Sequence, residues 1–485
     1  MRGRILIAGA GLAGVVGTIA YVCLVECRRT GRARHFGEPG VVQPPVPVRP
    51  EDRAASARRR AWWDAARFGL LVHWGPYSQR GLEASLPLRA GDIPRDEYEG
   101  LARTFHPGSF DAAGLARLAR QAGAGYVVFT AKHHDGYCMY DSRLTDYGVM
   151  HSPVGRDLTR EIVVALRAEG LGVGLYFSLP DWHHPDYCEE DWPSDSGEHC
   201  NFADVPAGFA RFVDYYQGQV AELLDRYAPD ILWFDGDWHH SAAVWRSESL
   251  IRLVRGRAPD CLINDRCGLP AAADFAVLEY QPSLSLEQDE AHEMGRPLAC
   301  LTLDALPGRH DPPSWRDPTL PDTGERCESI GPQWSWTPPP ARLKSVGFLI
   351  RVLVRRAAAG GNYLLGIGLD GEGRVDPEVA DRLREIGRWL ACNGEGVYGT
   401  RPGPYVDLRA AGTHRDNCVY LHIFNVPPEG TLVTLPGQRL VRVRLLATGQ
   451  PLPFGIQADG GAWFHVPAAL ADPYVTSVAL DLRAE

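Results

Sequence analysis

The 485-residue chain is short of several signatures that would place it at once. Eleven cysteines form no C-x-x-C pair, which argues against a structural zinc site. There is no H-E-x-x-H segment and no H-x-H on the first strand candidate, the usual footing of a hydrolase metal. No basic block lies outside the arginines around the N-terminal apolar stretch and the run Arg58–Arg60. With 50 Lys and Arg against 60 Asp and Glu, the net charge is -10, so nucleic acid is not expected as a partner. No internal repeat is evident.

A nucleotide loop is also missing, although the letters suggest one. Gly9 to Gly14 read GAGLAG, but the acid that should end a second strand, Glu26, follows Gly14 by only twelve residues. All of the residues between are apolar or small, with no room for helix, loop and strand. Ile5 to Val25 instead make 21 residues without a charge, flanked by Arg2 and Arg4 and by Arg28, Arg29, Arg32 and Arg34. That length suits a membrane anchor or signal segment over residues 1–27. A Pro- and Arg-rich linker over residues 28–60 follows. The arginines after Val25 favour a cytoplasmic C-terminal side. Cys188 and Cys200 bracket an acidic loop and would form a disulfide in an exported domain. The expectation is a membrane-anchored or secreted protein whose catalytic domain is non-cytoplasmic, touching membrane through its N-terminal segment only.

What is present is a rhythm. Strand candidates are Phe68 to His73, Tyr126 to Ala131, Val173 to Ser178, Ile231 to Asp235, Cys261 to Asp265, Val277 to Gln281 and Asn362 to Ile367. Amphipathic stretches such as DAAGLARLARQAG and PEVADRLREIGRWL lie between several of them. Strand and helix alternating over residues 61–398 predict an α/β fold, a (β/α)8-like TIM barrel. From residue 399 to 485, short alternating runs such as VYLHIFNV and TSVALDL predict a C-terminal antiparallel β-sandwich. Thirteen Trp and eighteen Tyr suit sugar faces as well as a large core.

Barrel chemistry collects at the carboxyl ends of strands. Read to their ends, the candidates supply His73 and Trp74, then His133, His134 and Asp135, then Tyr176 and Asp181. Asp235, Asn264, Arg266 and Glu279 follow. Asp235 and Glu279 each follow a strongly apolar run, ILWF and FAVL, where a charge incurs a desolvation cost unless donors hold it. Two carboxyls from different strands of one mouth are the equipment of a retaining glycosidase, and equally they suit ion-pair partners at strand ends.

At these residues the chain resembles a known family. RFGLLVHWG, TAKHHDGYCMYDS, GLYFSLPDWHHPDY, PDILWFDGDW and the stretch from GNYLLGIG to GTRP resemble the alpha-L-fucosidases of glycoside hydrolase family 29, from Trp62 to Pro402. The resemblance implies retaining hydrolysis of terminal alpha-L-fucose from a glycan or glycoside, without a metal or organic cofactor. It implies Asp235 as nucleophile and Glu279 as acid/base, with carboxyls about 5–5.5 Å apart. His73, His133 and His134 resemble residues that hold fucose hydroxyls, and Tyr176, Arg266 and Trp334 match contact positions, with Trp74 beside His73 at the rim. Many relatives carry a sugar-contacting Glu-Trp pair where this chain has Ser85 and Leu86, with Glu83 a candidate substitute. Two other readings stay open. His133, His134, Asp135, His239 and His240 would serve a metal-dependent barrel hydrolase. A catalytically silent sugar-binding barrel would fit the missing pair.

Overall fold

A computed structural model describes residues 50–188, 207–279, 300–302, 324–339, 341–406, 409–428, 431–434, 438–457 and 461–484. The apolar segment 5–25 with its GAGLAG stretch, most of the linker, and Cys200 lie outside the described residues. Among the described residues no helix is long and apolar enough to cross a membrane. Cys188 is disulfide-bonded.

The first nine strands in chain order are β1 (Phe68–His73), β2 (Tyr126–Lys132), β3 (Gly172–Ser178), β4 (Ile231–Asp235), β5 (Leu262–Ile263), β6 (Ala276–Glu279), β7 (Cys300–Thr302), β8 (Gly324–Ser329) and β9 (Asn362–Gly368). All but β7 form one sheet in the order β5-β4-β3-β2-β1-β9-β8-β6. Every pairing in it is parallel. An isolated parallel bridge between Asn264 and Phe275 joins the two edges, so the sheet closes on itself.

Period-two alternation sorts the strand residues into two cores. Leu71, Val128, Tyr176, Trp233 and Leu364 face the barrel interior. Leu70, Val127, Leu175, Phe234 and Leu365 face an outer layer of helices. The helices start where short side chains cap them. Asp111 accepts from Gly114 N, Asp157 from Arg160 N and Ser345 from Phe348 N. The helices they open are Ala112–Gln121, Leu158–Ala168 and Val346–Ala358. Helix Pro377–Asn393 follows β9 and is capped by Asp376.

One barrel strand escapes the hydropathy reading. β8 reads GERCES, yet it lies beside β9 and its glutamates are buried. Glu325 points inward, where Tyr126 Oη donates to one carboxyl oxygen and Trp233 Nε1 to the other at 2.8 Å. Glu328 accepts from Tyr363 Oη at 2.7 Å and from Arg326 at 3.0 Å. Buried polar groups persist because each finds a partner, so a strand built on them carries no apolar run.

The C-terminal part is the sandwich that its short alternating runs imply. β10 (Arg401–Val406), β11 (Ala410–Arg415) and β12 (Cys418–Ile423) pair with β17 (Thr476–Ala484) and β14 (Gln438–Leu445) in an antiparallel sheet ordered β10-β11-β12-β17-β14. A second sheet orders β15 (Phe454–Ile456), β16 (Gly461–Phe464), β13 (Thr431–Thr434) and then β7, which joins β13 in parallel. Val419, Leu421, Val443 and Phe464 fill the space between them.

Burial pushes the Glu325 carboxyl from the ordinary 4.5 up to about 7, against hydrogen bonds from Tyr126 and Trp233. The folded protein therefore holds this proton where the unfolded chain has lost it, and the site loses stability as pH rises from about 4.5 to about 7. The substitution Glu325→Gln would mimic the protonated form at every pH. Thermal unfolding of that variant beside the unsubstituted protein should shift in the variant's favour between pH 5 and 8; a constant difference would contradict the burial argument.

Candidate active site

The inner face of β3 and β4 sets the floor of the pocket. Tyr176 pairs in register with Trp233, and Ser178 with Asp235. The Tyr176 and Trp233 rings stack with centroids 5.5 Å apart. Asp235, the last residue of β4, is 8% exposed and held at both oxygens. Tyr176 Oη donates to Oδ2 at 2.6 Å, and Arg266 Nη1 donates to Oδ1 at 2.7 Å. The next residue, Gly236, has φ +81, and a Cβ there would come 2.4 Å from the Pro180 ring. Only glycine lets the chain turn at once behind the carboxylate.

Arg266 arrives from the loop after β5. Its Nη2 donates to Glu279 Oε2 at 2.6 Å, so one guanidinium spans the carboxyls of β4 and β6. Its carbon lies 5.3 Å from the ring centres of both Trp233 and Trp238. Burial opposes its charge, but Asp235 and Glu279 outweigh that and hold the group protonated well above its ordinary range. Asp237, close by, is pushed up to about 6 by burial, with Arg266 opposing and Asp235 adding.

Three histidines form the opposite wall. A register shift between Thr130 and Lys132 turns Lys132 to the outer layer, where its ammonium meets Gln219 at 3.1 Å and Asp181 at 3.4 Å. The strand ends there and the chain turns. His133 and His134, which would face opposite ways on a regular strand, lie with ring centroids 4.4 Å apart. His133 Nδ1 meets Ser85 Oγ at 2.5 Å and its ring stacks on Tyr176. His134 Nδ1 meets Ser178 Oγ at 2.5 Å, and its Nε2 is 3.7 Å from Asp235 Oδ2. The His73 ring lies 5.4 Å from those of Tyr176 and Trp334. Among the described residues no partner meets His73 Nδ1.

Eight of the nine residues singled out from sequence thus gather at one mouth: Asp235, Glu279, His73, His133, His134, Tyr176, Arg266 and Trp334. Trp74 does not, and that expectation is corrected. It is fully buried among Phe105, Phe110 and Phe129 in the outer core, its Nε1 donating to Asp370 O at 2.9 Å. The cause is parity: His73 faces inward, so its neighbour on an extended strand faces out. The proposed metal set also disperses. Asp135 accepts from Tyr98 Oη at 2.8 Å and His240 Nε2 meets Cys188 O at 2.8 Å. Among the described residues no three His, Cys, Asp or Glu side chains converge as ligands. Reading strand ends missed Trp233, although its place two residues before Asp235 puts it on the same face. It also missed Ser178 and Trp238.

Comparison with known proteins agrees with the arrangement. A family model described as alpha-L-fucosidase matches residues 48–395. The tissue alpha-L-fucosidase of Homo sapiens is 29% identical over 390 residues, covering 74% of this chain and 74% of that protein. That of Rattus norvegicus is 28% identical over 403 residues, covering 76% and 77%. Among solved structures, alpha-L-fucosidase isoenzyme 1 from Paenibacillus thiaminolyticus superposes with a TM-score of 0.73 at 31% identity, over 88% of this chain and 100% of that one. A family 29 alpha-L-fucosidase from Bacteroides thetaiotaomicron, trapped as a covalent intermediate, gives 0.73 at 25% identity, over 88% and 96%.

Burial lowers the imidazole of His73 to about 4, with Asp235 pulling the other way, and drives His133 and His134 well below their ordinary range. All three rings should stay neutral from pH 8 down to pH 5. Nitrogen-15 NMR of the imidazoles checks this; a midpoint near 6.5 for any of the three would show a pocket wetter than described.

Proposed function

This chain belongs to the alpha-L-fucosidase family, and from that membership we propose which of its groups act on the sugar. The protein is a retaining glycoside hydrolase that releases alpha-L-fucose. The observation that carries the assignment is the single Arg266 guanidinium joining the carboxyls of Asp235 and Glu279, which brings two acids from separate strands to one substrate.

The cycle starts with Asp235 ionised and Glu279 protonated. An Asp235 oxygen attacks the anomeric carbon as the bond to the departing oxygen breaks, and that oxygen takes the Glu279 proton. The sugar is then an ester of Asp235. Glu279, now a base, removes a proton from water, the water oxygen bonds to the anomeric carbon, and Asp235 leaves as carboxylate. Two inversions restore the original configuration. Tyr176 and Arg266 hold Asp235 throughout, so the nucleophile reacts from one position rather than from an ensemble. Neutral His73, His133 and His134 each keep a donor and an acceptor nitrogen, which suits sugar hydroxyls that do both. The apolar stretch of residues 5–25 and the disulfide at Cys188 support an exported, anchored catalytic domain.

Asp235→Asn should lower kcat on an aryl alpha-L-fucoside by a factor on the order of 10³ or more. In Glu279→Ala, azide should restore turnover by replacing water in the second step. The fucosyl azide then keeps the alpha configuration, read by proton NMR. Near-normal turnover in Asp235→Asn, or a beta azide from Glu279→Ala, would remove these assignments.

A further inference from the structure

The loop after β3 backs onto the histidine wall, and no step above uses it. Trp182 N donates to His134 O at 2.7 Å, and the two rings lie 5.0 Å apart. Trp182 is itself buried, in a cluster with Tyr77, Tyr98 and Leu101. His134 in turn meets Ser178 Oγ and stands 3.7 Å from Asp235 Oδ2. A displacement of Trp182 is therefore a displacement of His134.

The helix Arg95–Thr104 holds two successive residues of that loop by opposite charges. Arg95 Nη1 donates to Trp182 O at 2.5 Å, and His183 Nδ1 meets Glu99 Oε1 at 3.0 Å. Arg95 and Glu99, one turn apart, are 3.5 Å from each other. The His183 ring stacks on Tyr147 with centroids 3.9 Å apart, a face that favours a cation. Asp181 Oδ1 accepts from the backbone N–H of both His183 and His184, while Oδ2 meets Lys132 at 3.4 Å.

We propose that His183 is a positioning residue for the reaction: its imidazolium locks the Trp182 loop on the helix and so sets His134 against the sugar. The inference rests on the fucosidase reading. Charged groups face His183 from three elements. The helix supplies Glu99 and Arg95, with Arg103 in the same cleft. The loop after β2 supplies Asp135, with Asp146 and His151 in the cleft. The loop of His183 itself supplies Asp181 and His184. Burial opposes the imidazolium, but Glu99 and then Asp181 outweigh burial and Arg95, so the ring titrates above its ordinary 6.5. Once that proton is lost, Glu99 draws on Arg95, which is then divided between the carboxylate and the Trp182 carbonyl.

Glu99→Gln keeps an acceptor for His183 and removes the charge. NMR of the imidazoles should show the His183 midpoint falling in that variant, because burial and Arg95 are then opposed chiefly by Asp181. In the unsubstituted enzyme, KM for an aryl alpha-L-fucoside should rise about fivefold as pH passes the His183 midpoint. That is the difference between a charged and a neutral hydrogen bond, and kcat should change less. In Glu99→Gln the rise should move to lower pH together with the NMR midpoint. His183→Gln, neutral at every pH, should show the higher KM throughout and no rise. Melting curves verify that both variants fold. Calorimetric titration with L-fucose should show the same shift in affinity without turnover. If no fucoside is cleaved, the hydrolase reading fails, and the fucose affinity alone decides the role of His183. The proposal is overturned if the His183 midpoint moves in Glu99→Gln while KM and fucose affinity keep the parent's pH dependence. An unmoved midpoint overturns it as well.

Discussion

The site depends on one guanidinium that answers for two carboxyls, one buried and one partly exposed. Asp235 and Glu279 end separate strands, and the guanidinium between them ties their carboxyls together. Arg266 meets one with each terminal nitrogen, at 2.7 and 2.6 Å. A lysine would supply the charge but not two divergent donors in one plane. The faces of buried Trp233 and exposed Trp238 beside it add a cation–π contribution. Such a pairing is weak evidence for stability, because desolvation offsets most of the attraction. Its effect is geometric, fixing where the two acids point.

The same desolvation governs the other wall. Three imidazoles packed around Tyr176 and Asp235 are kept neutral by burial, although for His73 and His133 the Asp235 carboxylate favours the charged form. Burial wins over the single charge, since Asp235 already has Arg266 and Tyr176 as partners. The barrel thus keeps its formal charge on the carboxyl and guanidinium side, and offers neutral donors and acceptors on the other. Deeper in, Glu325 repeats the pattern with tyrosine and tryptophan donors in place of a cation.

The loop 82–86 is bonded to the segment 334–335, which follows β8. Ser85 meets His133 Nδ1 and so ties the loop to the histidine wall. Glu83, two residues earlier, accepts from Trp334 N, and the left-handed turn at Ala84 between them is held by the Ser335 hydroxyl.

Much of this was legible in the sequence because strand parity is local. Alternating runs marked seven of the eight barrel strands, and the polar residue after each run marked a mouth. The shared motifs added the family. What alternation alone could not supply were groups whose environment is made by residues far along the chain. β8 was invisible because its glutamates are satisfied by Tyr126, Trp233 and Tyr363, which come from other strands. Trp74 was misplaced because adjacency to His73 was read as proximity to the pocket. The turn that lets His133 and His134 share a wall, the bridge that Arg266 makes and the position of Glu83 were decided only by tertiary structure. Sequence carries the order and character of side chains, whereas a closed barrel brings together strand ends separated by tens or hundreds of residues.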